Sequence, residues 1–169
     1  MDVRDTTRYY QWAVDFDSLL DIGQVPQFNT LRFGNDHTEG MRLNRPTPFA
    51  HVADNDLAVG LMVDHLSHSP IWKESVVFII EDDAQNGCDH VDAHRSTAYL
   101  AGGYVKRHFV DSTPYTTTSM LKTIELILGL PPMTQYDAGS RSMWRCFSQT
   151  ADTSQFHHLA ANIPLNQVN

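Results

Sequence analysis

Cysteine is scarce. Cys88 and Cys146 are the only two in 169 residues, so no disulfide framework holds this chain, and nothing demands a bridge between them. Basic residues are also few. Twelve Lys+Arg stand against 20 Asp+Glu, a formal net charge of −8 with histidine neutral. That balance argues against sequence-independent binding to nucleic acid, which needs a basic face to displace counterions. No apolar run approaches the ~18 residues that cross a bilayer. No basic stretch followed by an apolar one opens the chain, so no secretory signal is visible. G-x-S-x-G, Walker A, G-x-G-x-x-G and paired C-x-x-C motifs are missing, as are internal repeats and low-complexity linkers. What remains is a chain with 41% apolar residues, too many for a disordered tail. At this length a domain buries ~70% of its unfolded surface. Nine histidines among 20 carboxylates are its unusual feature.

Apolar spacing predicts a helix over residues 5–22, capped by Asp5 or Thr6 and stopped by Gly23. Phe28–Phe33 reads as a short strand, and Ala50–Ser67 as a second helix. Ser75–Ile80 (SVVFII) is continuously apolar and β-branched, as in a central strand covered on both faces. Ser96–Ala101 is a third strand. A helix at 114–128 follows, with Thr113 as its cap, Pro114 at its first position, and Gly129 with Pro131-Pro132 as its stop. Beyond Met133 the sequence is irregular. Strands alternating with helices imply an α/β layered domain with a largely parallel sheet, whose ligands gather at the carboxyl ends of strands.

Two polar loops leave such ends. One is Gly34-Asn35-Asp36-His37-Thr38-Glu39-Gly40; the other runs from Glu81-Asp82-Asp83 through Asn86, Cys88, Asp89, His90 and Asp92 to His94. Three consecutive carboxylates after a buried strand repel one another and favour a cation. A mixed Asp/His set suits Zn²⁺, Mn²⁺ or Fe over Ca²⁺ or Mg²⁺. Asn35 or Asn86 would add a neutral donor. The plainer reading is that acidic residues at strand ends are solvated, with Asp36 or Asp89 capping turns.

The other polar residues have ordinary readings. Asp54-Asn55-Asp56 offsets a helix dipole. His51, His65 and His68 lie on the second helix or at its end, and His157-His158 falls in a solvent-exposed tail. Lys106-Arg107-His108 is a solvated basic cluster or an attractor for an anionic substrate. Thr116–Ser119 supplies capping hydroxyls.

The run VVFIIEDDAQNGCDHVDAHR resembles the metal-binding strand and loop of the phosphoesterase family. This group within the alkaline phosphatase superfamily includes bacterial phospholipase C and acid phosphatase relatives. TTTSMLKTIELILGLPP, NDHTEG and DNDLAVG resemble three further motifs of the family, in the same order. They are most similar to the branch fused behind β-propeller (YncE-like) repeats. The resemblance covers residues 1–148 as the C-terminal part of a phosphoesterase domain, with 149–169 as an irregular tail. It implies an alkaline-phosphatase-like α/β/α sandwich with a mostly parallel sheet, incomplete at its N-terminus, and two divalent metal ions. Asp82 and Asp83 match the paired acidic ligands, Asp36 and His37 an earlier ligand loop, and His90 the D-H-V motif. His94 follows, and one or both of these histidines would complete the second metal. Relatives place a Ser or Thr nucleophile earlier, so here it is expected upstream of Met1.

The function implied is metal-dependent hydrolysis of phosphate esters. The alternative is a catalytically inactive metal-binding or interaction domain. The implied partners are a phosphate-ester substrate and an N-terminal portion or β-propeller of the parent protein. No nucleic acid and no transmembrane segment are expected.

Overall fold

The computed structural model describes residues 3–82 and 94–169. The chain divides into two compact units, Met1–Ser69 with Gln155–Asn169, and Pro70–Ser154. Among the described residues the first unit contains helix α1 (Asp5–Asp21), a 3-10 turn at Asn35–His37 and helix α2 (Pro48–Ser67). The second contains a 3-10 turn at Trp72–Glu74, strands β1 (Val76–Ile80) and β2 (Ala98–Gly102), helices α3 (Thr117–Leu128) and α4 (Gln135–Gly139), and a 3-10 turn at Trp144–Cys146.

In the first unit α1 buries Tyr9, Ala13 and Phe16, which recur at helical spacing, against α2, which buries Ala50, Ala58, Met62, Val63 and Leu66. Trp12 stacks on Phe16 at 5.0 Å, and the His65 ring meets the edges of Tyr9, Trp12 and Phe16. Helix α2 starts two residues before the expected Ala50: Thr47 accepts the Ala50 N–H and Pro48 occupies the first turn. In helix α1 the N-cap is Arg4, which supplies no side-chain cap. The cap comes from α2 instead, where the Asp54 carboxylate accepts the Asp5 N–H and the Thr6 hydroxyl, both at 2.7 Å.

Asp5 and Asp54 are the centres of a buried polar knot. Asp5 is fully buried and accepts the N–H groups of Gly34 (3.1 Å) and Asn35 (2.7 Å) and the side-chain amide of Asn55 (3.1 Å). Its charge is met by Arg8 at 3.3 Å. The Asn35 side chain closes the ring by donating to Asp54 at 2.7 Å. One knot therefore holds the start of α1, the turn at 35–37 and the middle of α2. Every donor it uses would be orphaned without it.

The sandwich expected from the sequence is overturned. The described sheet has two strands and is antiparallel, with Val76 opposite Gly102 and Ile80 opposite Ala98. A parallel pair needs a long crossover, usually a helix, between its strands. Among the described residues the helices lie outside the pair, α2 before β1 and α3 after β2. Phe28–Phe33 forms no strand; it lacks the period-2 pattern of a half-buried strand, and Phe28 is exposed. The loop at 34–40 therefore does not leave a strand end, and the shared sheet edge expected for the two polar loops is lost.

The second unit centres on Met120, Met143 and Cys146, packed by Phe78, Leu100, Tyr115, Ile124 and Phe147. Helix α3 begins three residues later than the Thr113–Pro114 signal suggested. Thr113 is held in a turn by Asp111, at 3.0 Å through its N–H and 2.6 Å through its hydroxyl. Thr116 and Ser119 form a capping box in its place. Gly129, at φ +67°, stops α3 in the left-handed conformation as expected. No described helix is long and apolar enough to cross a membrane.

Two carboxyls, Glu125 on α3 and Asp137 on α4, are buried together. Thr134 and the Met133 N–H hold Asp137 far below its ordinary value. Burial first, then the neighbouring Asp137 charge, raises Glu125 above its ordinary 4.5. Of the two, Glu125 is therefore the first to take up a proton as pH falls. A raised folded-state pKa gives stability that is complete below the unfolded value and is lost as pH rises through the folded one. Glu125→Gln, which keeps the neutral form, should raise the melting temperature at pH 8 and converge with the wild type below pH 4. An equal or lower melting temperature at pH 8 contradicts this pairing. In the first unit, Asp54→Ala should cost about 3–5 kcal/mol in urea unfolding, since it orphans three buried or half-buried donors.

Candidate functional site

The polar knot positions the first candidate pair. Asn35 is buried in it through both its backbone and its side chain, so its amide is committed to Asp5 and Asp54. These bonds give Asn35 a structural role in the knot. The next two residues of the same turn face outward: Asp36 is half-buried and His37 exposed, with His37 Nδ1 3.2 Å from the Thr38 carbonyl. Thr38 follows at φ +58°, which ends the turn abruptly. The knot thus holds a carboxylate and an imidazole side by side without using either.

A cavity of about 140 Å³ adjoins the knot, lined by Arg4, Asn35, Arg45, Pro46, Ala50, His51, Asp54 and Leu165. Burial keeps the His51 imidazole below its ordinary value, despite Glu39 Oε2 at 4.0 Å. Arg45 holds the Glu39 carboxyl down at about 2.

The second candidate group belongs to the other unit. Asp82 follows Glu81 just past the end of β1, and His94 stands in the turn that leads back to β2; both are exposed. The two chain ends are fastened beyond the ladder itself. Glu81 donates its N–H to Thr97 O at 3.2 Å, and its carbonyl accepts the Ser96 hydroxyl at 2.9 Å. Antiparallel pairing therefore returns the residues that enter and leave this acidic segment to one end of β1–β2. Asp83 and His90 lie outside the described residues, as do Asn86, Cys88 and Asp89.

The basic cluster is occupied. Lys106 donates to Arg145 O at 2.8 Å and lies over the Phe109 ring, while Arg107 pairs with Asp152 at 3.0 Å and donates to Ser154 O. These contacts hold the second unit's own loops and do not form a substrate anchor.

No family model, curated protein or solved structure matches the chain.

Among the described residues, Asp64, His68 and His157 bring metal-ligating atoms within 4.8 Å of one another. The sequence reading gave both histidines ordinary roles. Half of the signal was present: Asp64 and His68 are four apart and share a helix face. The other half is a long-range contact that local spacing cannot reveal. Phe156 is held to Ser67, with its N–H donating to the Ser67 hydroxyl at 2.9 Å. His158 binds the Asp64 carboxylate through its backbone N–H at 2.8 Å and its ring at 2.6 Å. His157 is carried in between these anchors.

The exposed and buried members of the 35–37 turn should separate on mutation. His37→Ala should leave stability within about 0.5 kcal/mol of the wild type. Asn35→Ala should cost about 2–3 kcal/mol, because it leaves Asp54 short of a buried partner. Equal effects in chemical denaturation contradict this division of labour.

Proposed function

We propose that the chain is the metal-carrying part of a divalent-metal-dependent hydrolase acting on phosphate esters. One observation carries the reading: the acidic segment that begins Glu81-Asp82 leaves β1 and comes back at His94, with its ends clamped together by the β1–β2 pairing. A closed loop presents its ligands to one ion at a smaller entropic cost than an open chain. Carboxylate oxygens and imidazole nitrogens fit Zn²⁺, Mn²⁺ or Fe, and Asp82, Asp83, His90 and His94 would hold the metal. In the first unit, half-buried Asp36 and exposed His37 are a separate carboxylate–imidazole pair for ligation. The ordered phosphoesterase-like motifs support the choice of ester; the sandwich fold is no part of the argument.

In the reaction, a water or hydroxyl oxygen attacks phosphorus, the P–O bond to the alcohol breaks, and the alcohol departs with a proton. A bound divalent ion supplies charge neutralisation to the phosphoryl oxygens and a more acidic water. The chain's own contribution is to hold that charge at the clamped end of the hairpin. A second reading, a metal-binding domain without turnover, is favoured by the meeting of Asp64, His68 and His157 on another part of the chain.

Release of p-nitrophenol from its phosphate ester, with added Zn²⁺ or Mn²⁺, separates the two. The hydrolase reading predicts metal-dependent turnover that falls at least about 100-fold in Asp82→Ala and in Asp83→Ala. Turnover that survives both substitutions would sink the assignment. Stoichiometric metal binding with no turnover on several phosphate esters selects the second reading.

A further inference from the structure

We propose that Asp64, His68 and His157 form a site for a zinc-class divalent ion that fastens the C-terminal segment to the end of α2. This site lies wholly within the first unit, and it stands whether or not the acidic loop after β1 supports hydrolysis.

Three features favour a cation there. First, the donor set is one carboxylate and two imidazoles, the chemistry of Zn²⁺, Fe²⁺ or Co²⁺ rather than of Ca²⁺ or Mg²⁺. Their ligand atoms already lie within 4.8 Å of one another, so side-chain rotation alone can bring them onto one ion. Second, the carboxylate is oriented. His158 occupies Asp64 Oδ2 with both its backbone N–H and its ring, while Oδ1 lies 3.1 Å from His68 Nδ1, whose shorter contact is to the Asp64 carbonyl at 2.8 Å; donation there leaves His68 Nε2 as the ligating nitrogen. A histidine holding the far oxygen of a ligating carboxylate is a common outer-shell arrangement, and it fixes which lone pairs face the metal. Third, the site crowns the last turn of α2, where the helix dipole favours positive charge.

The second strand of the site is prepared in the same way. The Ser67 hydroxyl accepts the Phe156 N–H at 2.9 Å and lies 3.3 Å from the Phe156 carbonyl. Two turns earlier on α2, the chain at His158 passes at ordinary contact distance, 3.5 Å from where a Cβ on Gly60 would stand. With residues 156 and 158 both anchored, His157 has little freedom left. Its ring lies 5.3 Å from that of His68, tilted by 59° and not stacked. The ordering that a metal normally imposes on a flexible segment is largely complete before the ion arrives. Two imidazoles and one carboxylate leave further coordination positions for water, so the site is open.

Zinc titration of the full chain, carrying no histidine tag, tests this by calorimetry together with amide exchange of residues 155–169. The expected result is tight binding of an ion that slows exchange in this segment by about 100-fold when free zinc is 100 times Kd. His157→Ala and His68→Ala should abolish that protection. His158→Ala, which removes only the ring that orients the carboxylate, should weaken binding by about 10–100-fold. The double variant Asp82→Ala/Asp83→Ala should retain the protection in full, so that failure of the hydrolase reading and failure of this one are read separately. All three histidines are at the surface, and circular dichroism confirms folding of each variant. Zinc that leaves exchange of 155–169 unchanged in the wild type, or protection that persists in both His157→Ala and His68→Ala, overturns the proposal.

Discussion

Asp54 is buried in the middle of α2, yet its carboxylate accepts hydrogen bonds from the first turn of α1 and from the Asn35 side chain. Asp5, fully buried at the head of α1, returns the favour to the backbone of Gly34 and Asn35. Two buried carboxylates so close together are tolerable only because every oxygen faces a donor, one helix N-terminus points at Asp54, and Arg8 reaches Asp5. The rest of the first unit depends on this arrangement. It fixes how α1 meets α2, which in turn sets the aromatic packing around His65. It also decides that residue 35 faces inward while 36 and 37 face outward.

In the second unit the comparable constraint is the pairing of β1 with β2. Only five residues of each strand take part, but the ladder is extended by Glu81, Ser96 and Thr97. A segment rich in like charges would push its own ends apart; the hairpin resists that by backbone hydrogen bonds that do not depend on charge. A cation would offset like charge at that end of the pair, which is the physical content of the proposed function. In the buried Glu125–Asp137 pair of the same unit, a proton taken up by Glu125 would offset like charge instead.

Much of the helical structure was legible. The apolar spacing of α1 and α2 and the stop at Gly129 announce themselves locally, and β1 shows in its β-branched run; the start of α2 at Pro48 was not read. The sheet was not legible, because strand direction depends on how the chain returns, and neither propensity nor periodicity encodes that. The inference of a parallel sheet came from the alternation of helices and strands, and it failed once Phe28–Phe33 proved to have no partner. The α1 cap was missed for a related reason: the capping oxygen belongs to Asp54, 49 residues away from Asp5. Asp36, His37, Asp82 and His94 were visible as residue types; Asp54 is structural, but by holding α1 and Asn35 rather than by offsetting a helix dipole. Asp64 with His157 was invisible, since only the fold brings residue 157 back to α2.

The central claim is that the clamped segment after β1 holds a divalent ion. Anomalous diffraction at the metal edge, from crystals grown with Mn²⁺ or Zn²⁺, examines it most directly. The account predicts a peak about 2.0–2.2 Å from an Asp82 oxygen, with a His94 or His90 nitrogen in the same coordination shell. A metal-saturated crystal with no anomalous peak against Asp82 or either histidine would contradict it.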